Sequence, residues 1–242
     1  MTSPTVVLVH GAFADASSWA GVITELEAAG VNAVAPAGQL RAIPSDAAYL
    51  TSFVSQLGVP TVLVGHSYGG ALITQSGTDA AGVVGLVYVA AFAPETDENL
   101  ADINARYPDI PLSSAQRTLS YPTADGGSGT EVFIDHELFQ TAFCADVPAE
   151  RARILALTQR PISVDAFTSV VTGIPAWKTL PSWAIVATGD HAIHPDAERD
   201  MAKRAGSEVV EIDGSHAVAV SQPAAVAQVI LRAVAATASA ED

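Results

Sequence analysis

Residues 65–70, with the sequence Gly-His-Ser-Tyr-Gly-Gly, contain the side chain best suited to nucleophilic chemistry. An apolar run precedes them, and a helix-compatible segment follows at residues 71–75. A strand, a Gly-x-Ser-x-Gly turn and a helix are typical of a nucleophile elbow, in which a strained turn exposes the serine hydroxyl. Gly65 and Gly69 suit this turn because a Cβ atom at either position would collide with the neighbouring strand or helix. The pattern predicts that Ser67 is a nucleophile.

A serine nucleophile requires a base and an acid that orients the base. His216 lies in a turn directly after the last strand-like run, and imidazole takes and returns protons near neutral pH. Asp190 directly follows an earlier strand-like run, where its carboxylate can orient an imidazole. Glu95 and Asp97 follow another such run and are alternative acids. The order Ser, Asp, His along the chain separates this arrangement from the two other common serine-hydrolase orders.

Acyl transfer also needs N–H donors for the developing oxyanion. The backbone N–H groups of Tyr68, directly after the nucleophile, and of Ala12, after the first strand-like run, are predicted to be these donors. Phe13 and Tyr68 are predicted to line the substrate pocket. We expect His66 to point away from the nucleophile into packing, and His10 to hold the loop that contains Ala12. Three further histidines are predicted to be surface or lid residues, namely His136, His191 and His194.

Apolar, largely β-branched runs alternate with helix-compatible segments in two parts of the chain. Strands are predicted at residues 5–9, 31–35, 61–64, 83–91, 183–188 and 208–212. Continuous apolar strands that alternate with helices indicate a parallel sheet covered on both faces. In such a sheet, functional residues gather beyond the carboxyl ends of the strands, where Ser67, Asp190 and His216 are all expected.

The alternation stops between the fourth and fifth predicted strands. Residues 95–180 contain a hairpin pattern around the glycine-rich stretch 124–129, followed by helix-compatible segments. We therefore predict one α/β core formed by residues 1–94 and 181–242, with residues 95–180 inserted as a lid.

Composition narrows the class of protein. The 242 residues are 49% hydrophobic and only 15% charged, which excludes general disorder. A net charge of −15 argues against nucleic acid and anionic membrane as partners. Cys144 is the single cysteine, so no internal disulfide can form, and no Cys/His cluster has zinc spacing. Since the start of the chain has no targeting pattern and the longest apolar stretch is too short to span a bilayer, we expect a soluble, cytoplasmic protein without a metal.

Several segments resemble the α/β-hydrolase superfamily, in the branch that contains plant methylesterases, hydroxynitrile lyases and bacterial small esterases. The matching segments are residues 7–13 followed by Ser18 and Trp19, residues 26–30 and 65–70, residues 187–190 with Ala192 and Ile193, and residues 215–217. The resemblance implies an α/β-hydrolase fold: a mostly parallel sheet of about six strands, helices on both faces and an inserted lid. It also implies Ser67 as nucleophile, His216 as base, Asp190 rather than Glu95 or Asp97 as acid, and no cofactor. Ala12 and Tyr68 would be the oxyanion donors.

The resemblance also bears on the type of reaction. The lyases of this branch carry a lysine directly after the catalytic histidine, where this chain has Ala217, and a threonine where it has Gly11. The leading hypothesis is therefore a serine carboxylesterase that cleaves small neutral esters through an acyl-enzyme on Ser67. A ligand-binding protein with this fold, a lyase and a cofactor-free oxygenase are the alternatives, and a homodimer is left open. One departure from the branch is His194, where relatives often have proline.

Overall fold

Parallel strands that alternate with helices make up most of the computed structural model, which describes residues 4–238. The strands are β1 (Thr5–Val9), β2 (Ala33–Val34), β3 (Thr61–Ser67), β4 (Val83–Ala91), β5 (Gln116–Pro122), β6 (Ser128–Ile134), β7 (Ile162–Ser163), β8 (Ser182–Ala187) and β9 (Glu208–Ile212). The helices are α1 (Ala20–Ala28), α2 (Ile43–Ser55), α3 (Tyr68–Asp79), α4 (Leu100–Asn104), α5 (Pro111–Ala115), α6 (Phe139–Phe143), α7 (Ala149–Thr158), α8 (Val164–Thr168), α9 (Pro195–Ala205), α10 (Val218–Ser221) and α11 (Pro223–Ala238). Short 3-10 turns lie at Ala16–Trp19 and Ala176–Lys178.

The main sheet has six strands in the order β2-β1-β3-β4-β8-β9, and all neighbouring pairs are parallel. Ser67 at the end of β3 lies opposite Ala91 at the end of β4, so the carboxyl ends of the strands share one edge. The predicted, mostly parallel sheet of about six strands is confirmed. The edge strand β2 is shorter than the predicted 31–35 because only two of its residues pair with β1.

Helices cover both faces of this sheet, as predicted. On one face, α1 and α11 bury side chains that include Leu26 and Ile230 against the strands. On the other face, α2, α3 and α9 bury side chains that include Leu50, Ile73 and Met201. Since both faces are covered, the central strands β3 and β4 are buried along nearly their whole length.

The chain between β4 and β8 forms a second, three-stranded antiparallel sheet with the order β5-β6-β7, together with α4 to α8. The β5-β6 hairpin was predicted, whereas β7 was not, because two residues are too few to give a pattern. The division into a core and a lid at residues 95–180 stays a prediction. Within residues 4–238, no helix has both the length and the apolar surface needed to cross a bilayer.

Candidate active site

Ser67 has the strained backbone of a nucleophile elbow. As the last residue of β3, directly before α3, it has φ 53° and ψ −121°, which is unfavourable for any residue with a Cβ atom. A Cβ atom added at Gly65 would lie 2.6 Å from the backbone of Gly69. One added at Gly69 would collide with the carbonyl oxygen of Val9 in β1. The structure therefore contains the close contacts that were predicted to require glycine at both positions.

Two backbone N–H groups are available beside Ser67. The loop after β1 passes close to the serine, since a Cβ atom at Gly11 would lie 2.6 Å from the Ser67 Cβ atom. Within residues 4–238, the Ala12 N–H makes no turn or loop hydrogen bond to the backbone. Tyr68 is the first residue of α3, so its N–H has no acceptor inside the helix. Both predicted oxyanion donors can therefore bind an added acceptor.

His216 and Asp190 meet at the same edge of the sheet. His216 Nδ1 lies 2.5 Å from Asp190 Oδ2, and both side chains are almost fully buried. Asp190 Oδ1 also accepts hydrogen bonds from the N–H groups of Ala192 (2.6 Å) and Ile193 (2.9 Å). Burial alone would raise the pKa of the Asp190 carboxyl, but the adjacent His216 and these hydrogen bonds hold the pKa below its usual value. Asp190 is therefore an ionised partner for the imidazole.

In the described part of the chain, neither alternative acid is bonded to His216. Glu95 Oε1 lies 2.7 Å from Lys178 Nζ, and within residues 4–238 the Asp97 carboxylate makes no hydrogen bond to His216. Of the three acids considered, Asp190 is the one that the structure brings to His216.

A cavity of about 300 Å³ has both Ser67 and His216 in its wall. We call it the inner cavity. Its aromatic wall residues are Phe13, Phe92, Phe143 and Phe167. An outer cavity of about 400 Å³ shares Asn104 and Gln116 with it and continues beneath α4 and α5.

The Tyr68 side chain does not line the inner cavity, so the prediction that it lines the pocket is wrong for that side chain. Its ring is buried, and its hydroxyl donates a 2.8 Å hydrogen bond to Asp46 Oδ2 on α2. Burial and the nearby carboxylate raise the pKa of this phenol, so it stays protonated. The first turn of α3 directs the side chain towards α2, away from the carboxyl edge.

His66 has a role that the sequence did not reveal. Its Nε2 atom lies 2.9 Å from the backbone carbonyl of His216, and the two ring centroids are 4.6 Å apart. Burial, together with the nearby His216, lowers the pKa of His66 to about 3. The neutral ring therefore donates its Nε2–H to the carbonyl and holds the His216 backbone. His66 is packed as predicted. Its neighbour in the packing is His216, which is 150 residues away in sequence.

The other histidines make local contacts. His10 accepts the Gly38 N–H at Nε2 (2.8 Å) and donates from Nδ1 to the Gly11 carbonyl (2.9 Å), so it holds the first loop as predicted. His194 Nδ1 accepts the Asp196 N–H at 3.2 Å and caps α9. His136 is exposed, and His191 Nδ1 contacts the Thr141 carbonyl at 2.9 Å.

The described part of the chain contains no group of three or more His, Cys, Asp or Glu side chains placed to hold a metal ion. The expectation of a reaction without metal or cofactor stays a prediction.

Comparison with known proteins identifies the family. A family model described as the alpha/beta hydrolase family matches residues 6–229. The chain belongs to the alpha/beta hydrolase family. This confirms the family membership and fold that the sequence motifs indicated. No curated protein sequence matches this hydrolase.

Several solved structures share the fold of this alpha/beta hydrolase. Polyneuridine aldehyde esterase superposes with a TM-score of 0.82 at 18% identity, over 96% of this chain and 99% of that chain. A pyrethroid hydrolase from Sphingobium faniae JZ-2 gives a TM-score of 0.77 at 22% identity, over 98% and 99% of the two chains. A methylesterase from Arabidopsis gives a TM-score of 0.76 at 21% identity, over 96% and 99%. This alpha/beta hydrolase thus matches these proteins over nearly their whole length.

Proposed function

We propose that this protein is a serine esterase that hydrolyses small neutral esters through an acyl-enzyme on Ser67. The observation that carries the proposal is that Ser67 and a His216 imidazole bound to Asp190 line the same inner cavity. Structures with the same fold include an esterase, a methylesterase and a pyrethroid hydrolase, which favours ester cleavage. At 18% to 22% identity these likenesses show the fold and only point towards ester cleavage, so the proposal depends on the geometry of the site.

In this mechanism, His216 is the base and then the acid. Because Nδ1 is bound to the ionised Asp190, Nδ1 keeps its proton and Nε2 is the acceptor. Nε2 takes the proton of Ser67 as Oγ attacks the carbonyl carbon, and returns it to the departing alcohol oxygen. Water then attacks the acyl-enzyme with the same base, which releases the acid and restores Ser67.

The oxyanion of each tetrahedral intermediate would be bound by the N–H groups of Ala12 and Tyr68. Donors of this kind are fixed before the reaction and are each worth about 10²- to 10³-fold in turnover. The Ala12 donor lies on a loop held by His10, and the Tyr68 donor lies at the start of α3.

The inner cavity favours an apolar, uncharged substrate. Among the described residues, no Arg, Lys, Asp or Glu side chain lines it, so an anionic or cationic group would bind without a counter-ion. Its volume of about 300 Å³ lies at the small end of the range for ligand sites. Asn104 and Gln116, at the junction with the outer cavity, can hydrogen-bond the ester or its alcohol.

The test is hydrolysis of p-nitrophenyl esters from acetyl to octanoyl by the wild type, Ser67→Ala and the control Ser114→Ala, which changes an exposed serine on α5. Loss of the nucleophile should lower kcat by about 10⁴- to 10⁶-fold, while the control keeps full activity. Equal activity of Ser67→Ala and wild type would refute the proposal and favour the oxygenase alternative. Ligand binding without turnover in either protein would favour the binding-protein alternative.

A further inference from the structure

Glu198 is a buried acid that the mechanism above does not use. It lies on α9, is 3% exposed, and accepts the Ala187 N–H at Oε2 (3.1 Å). Its Oε1 atom is also buried, and no N–H or O–H group of residues 4–238 donates to it. The Glu198 carboxyl lies beside the Asp190 carboxyl, where one of the two could donate a hydrogen bond to the other if it carried a proton.

A hydrogen bond between two carboxyl groups requires that one of them keeps a proton. Asp190 accepts three hydrogen bonds, from the N–H groups of Ala192 and Ile193 and from His216 Nδ1. Glu198 accepts one, from the Ala187 N–H. The negative charge is better stabilised on Asp190, so the shared proton belongs on Glu198 Oε1. A proton there also gives this buried atom the hydrogen-bond partner that an ionised Glu198 would lack.

The surroundings of Glu198 favour the neutral acid. Burial in the apolar space between α9 and β8, together with the adjacent Asp190, raises the pKa of Glu198 well above its usual value. Arg199, the next residue, carries a cation, but its guanidinium is bound to Asp196 and Glu211 instead. Tyr88 also borders the small cavity beside Glu198, and its hydroxyl is bound to Thr74.

We infer that Glu198 is a positioning residue: it stays protonated and donates its Oε1–H to Asp190, and so holds that carboxylate in place against His216. This inference rests on the proposed esterase function. The four side chains would form one chain of hydrogen bonds and contacts from Glu198 through Asp190 and His216 to Ser67. Glu198 does not transfer its proton in this scheme, because its task is to orient the Asp190 carboxylate.

Two substitutions separate this role from simple packing. In Glu198→Gln, the amide N–H₂ can still donate to Asp190 and the amide oxygen can still accept the Ala187 N–H. In Glu198→Met, a side chain of similar length can do neither. We expect Glu198→Gln to keep kcat/KM within about threefold of the wild type, and Glu198→Met to lower kcat by about 10- to 100-fold with little change in KM.

The pH profile of kcat/KM tests the charge of Glu198, which a purely structural role would leave undetermined. Its acidic limb reports protonation of the essential base of the free enzyme, which an added or removed charge nearby would shift. If Glu198 is neutral, Glu198→Gln changes no charge and leaves the acidic limb in place. A shift of that limb by about one pH unit to lower pH would show that Glu198 carries a negative charge in the wild type, and would overturn the inference.

Infrared spectroscopy tests the same point without any activity. At pH 7, the wild type should show the C=O stretch of a protonated carboxylic acid, which persists in Ser67→Ala and disappears in Glu198→Gln. If the wild type shows the band but hydrolyses no ester, the esterase is refuted while the protonation of Glu198 stands. A wild-type spectrum without the band would overturn the inference even if the protein is an esterase.

Discussion

Replacing His66 with glutamine should make the stability of the protein less sensitive to acid. The His66 ring is buried among aromatic rings, with centroids 6.3 Å from Trp19, 6.4 Å from Phe143 and 4.6 Å from His216. Burial, and then the proximity of His216, lower the pKa of His66 to about 3. In the unfolded chain the same imidazole titrates at about 6.5.

The sign of the effect follows from these two values. Below pH 6.5 the unfolded chain binds a proton at His66 that the folded protein does not bind until about pH 3, so the unfolded state gains stability as the pH falls. The contribution of a neutral His66 to folding is complete above pH 6.5 and is lost progressively between pH 6.5 and 3. For one such site, the free energy of unfolding should fall by about 2 kcal/mol between pH 7 and pH 5.

The measurement is urea unfolding, followed by tryptophan fluorescence, at pH 7, 6 and 5. The wild type should lose about 2 kcal/mol more than His66→Gln over this range, because glutamine does not titrate. His66→Gln will also be less stable at pH 7, since it loses ring contacts, so the pH dependence is the quantity to compare. His136→Gln, which changes an exposed histidine, should keep the wild-type pH dependence. Parallel curves for the wild type and His66→Gln would refute the view that His66 is buried in its neutral form.

Three further results are expected. Gly69→Ala should lower the free energy of unfolding by more than about 3 kcal/mol in thermal or urea unfolding, because its Cβ atom would collide with the Val9 carbonyl. Gly58→Ala, which has open space around it and φ +65°, should lower that free energy by only about 1 kcal/mol. Similar losses for the two variants would contradict the close packing of Gly69 against β1. Asp190→Asn should lower kcat by about 10⁴-fold with little loss of fold, as judged by circular dichroism, because the amide favours the wrong imidazole tautomer; near-normal turnover would remove Asp190 from the mechanism. Phe167→Ala, in the wall of the inner cavity, should raise the ratio of octanoyl to acetyl ester hydrolysis by about 10-fold, and an unchanged ratio would place the acyl chain elsewhere.

The features that the sequence predicted well are those set by short-range geometry. The elbow depends on Gly65, Ser67 and Gly69, which are neighbours in the chain and whose contacts involve one adjacent strand. Once the apolar runs are read as parallel strands, their carboxyl ends must share an edge, which brings Asp190 and His216 together. Lengths of edge elements were less predictable, because the two-residue β2 and β7 depend on how far a partner strand extends.

Side-chain direction was the part that a single sequence could not supply. Tyr68 turns towards Asp46, 22 residues away, because α3 packs on α2, and nothing near Tyr68 in sequence encodes that contact. The direction of the Glu198 side chain was equally hidden in the sequence. The first turns of α9 carry three acids at alternate positions, and Asp196 and Asp200 are exposed while Glu198 is buried.

The rotation of α9 against β8 decides which of these acids is buried. Ala197, Met201 and Ala202 form its apolar stripe, and Glu198 falls within that stripe rather than opposite it. An acid in such a stripe would cost folding free energy if it were ionised and alone. Because Asp190 and the Ala187 N–H meet it there, the acid can stay in the core as a neutral hydrogen-bond donor. When the helix that follows a candidate catalytic acid has a carboxylic residue on its apolar side, that residue is therefore a candidate hydrogen-bond partner of the acid.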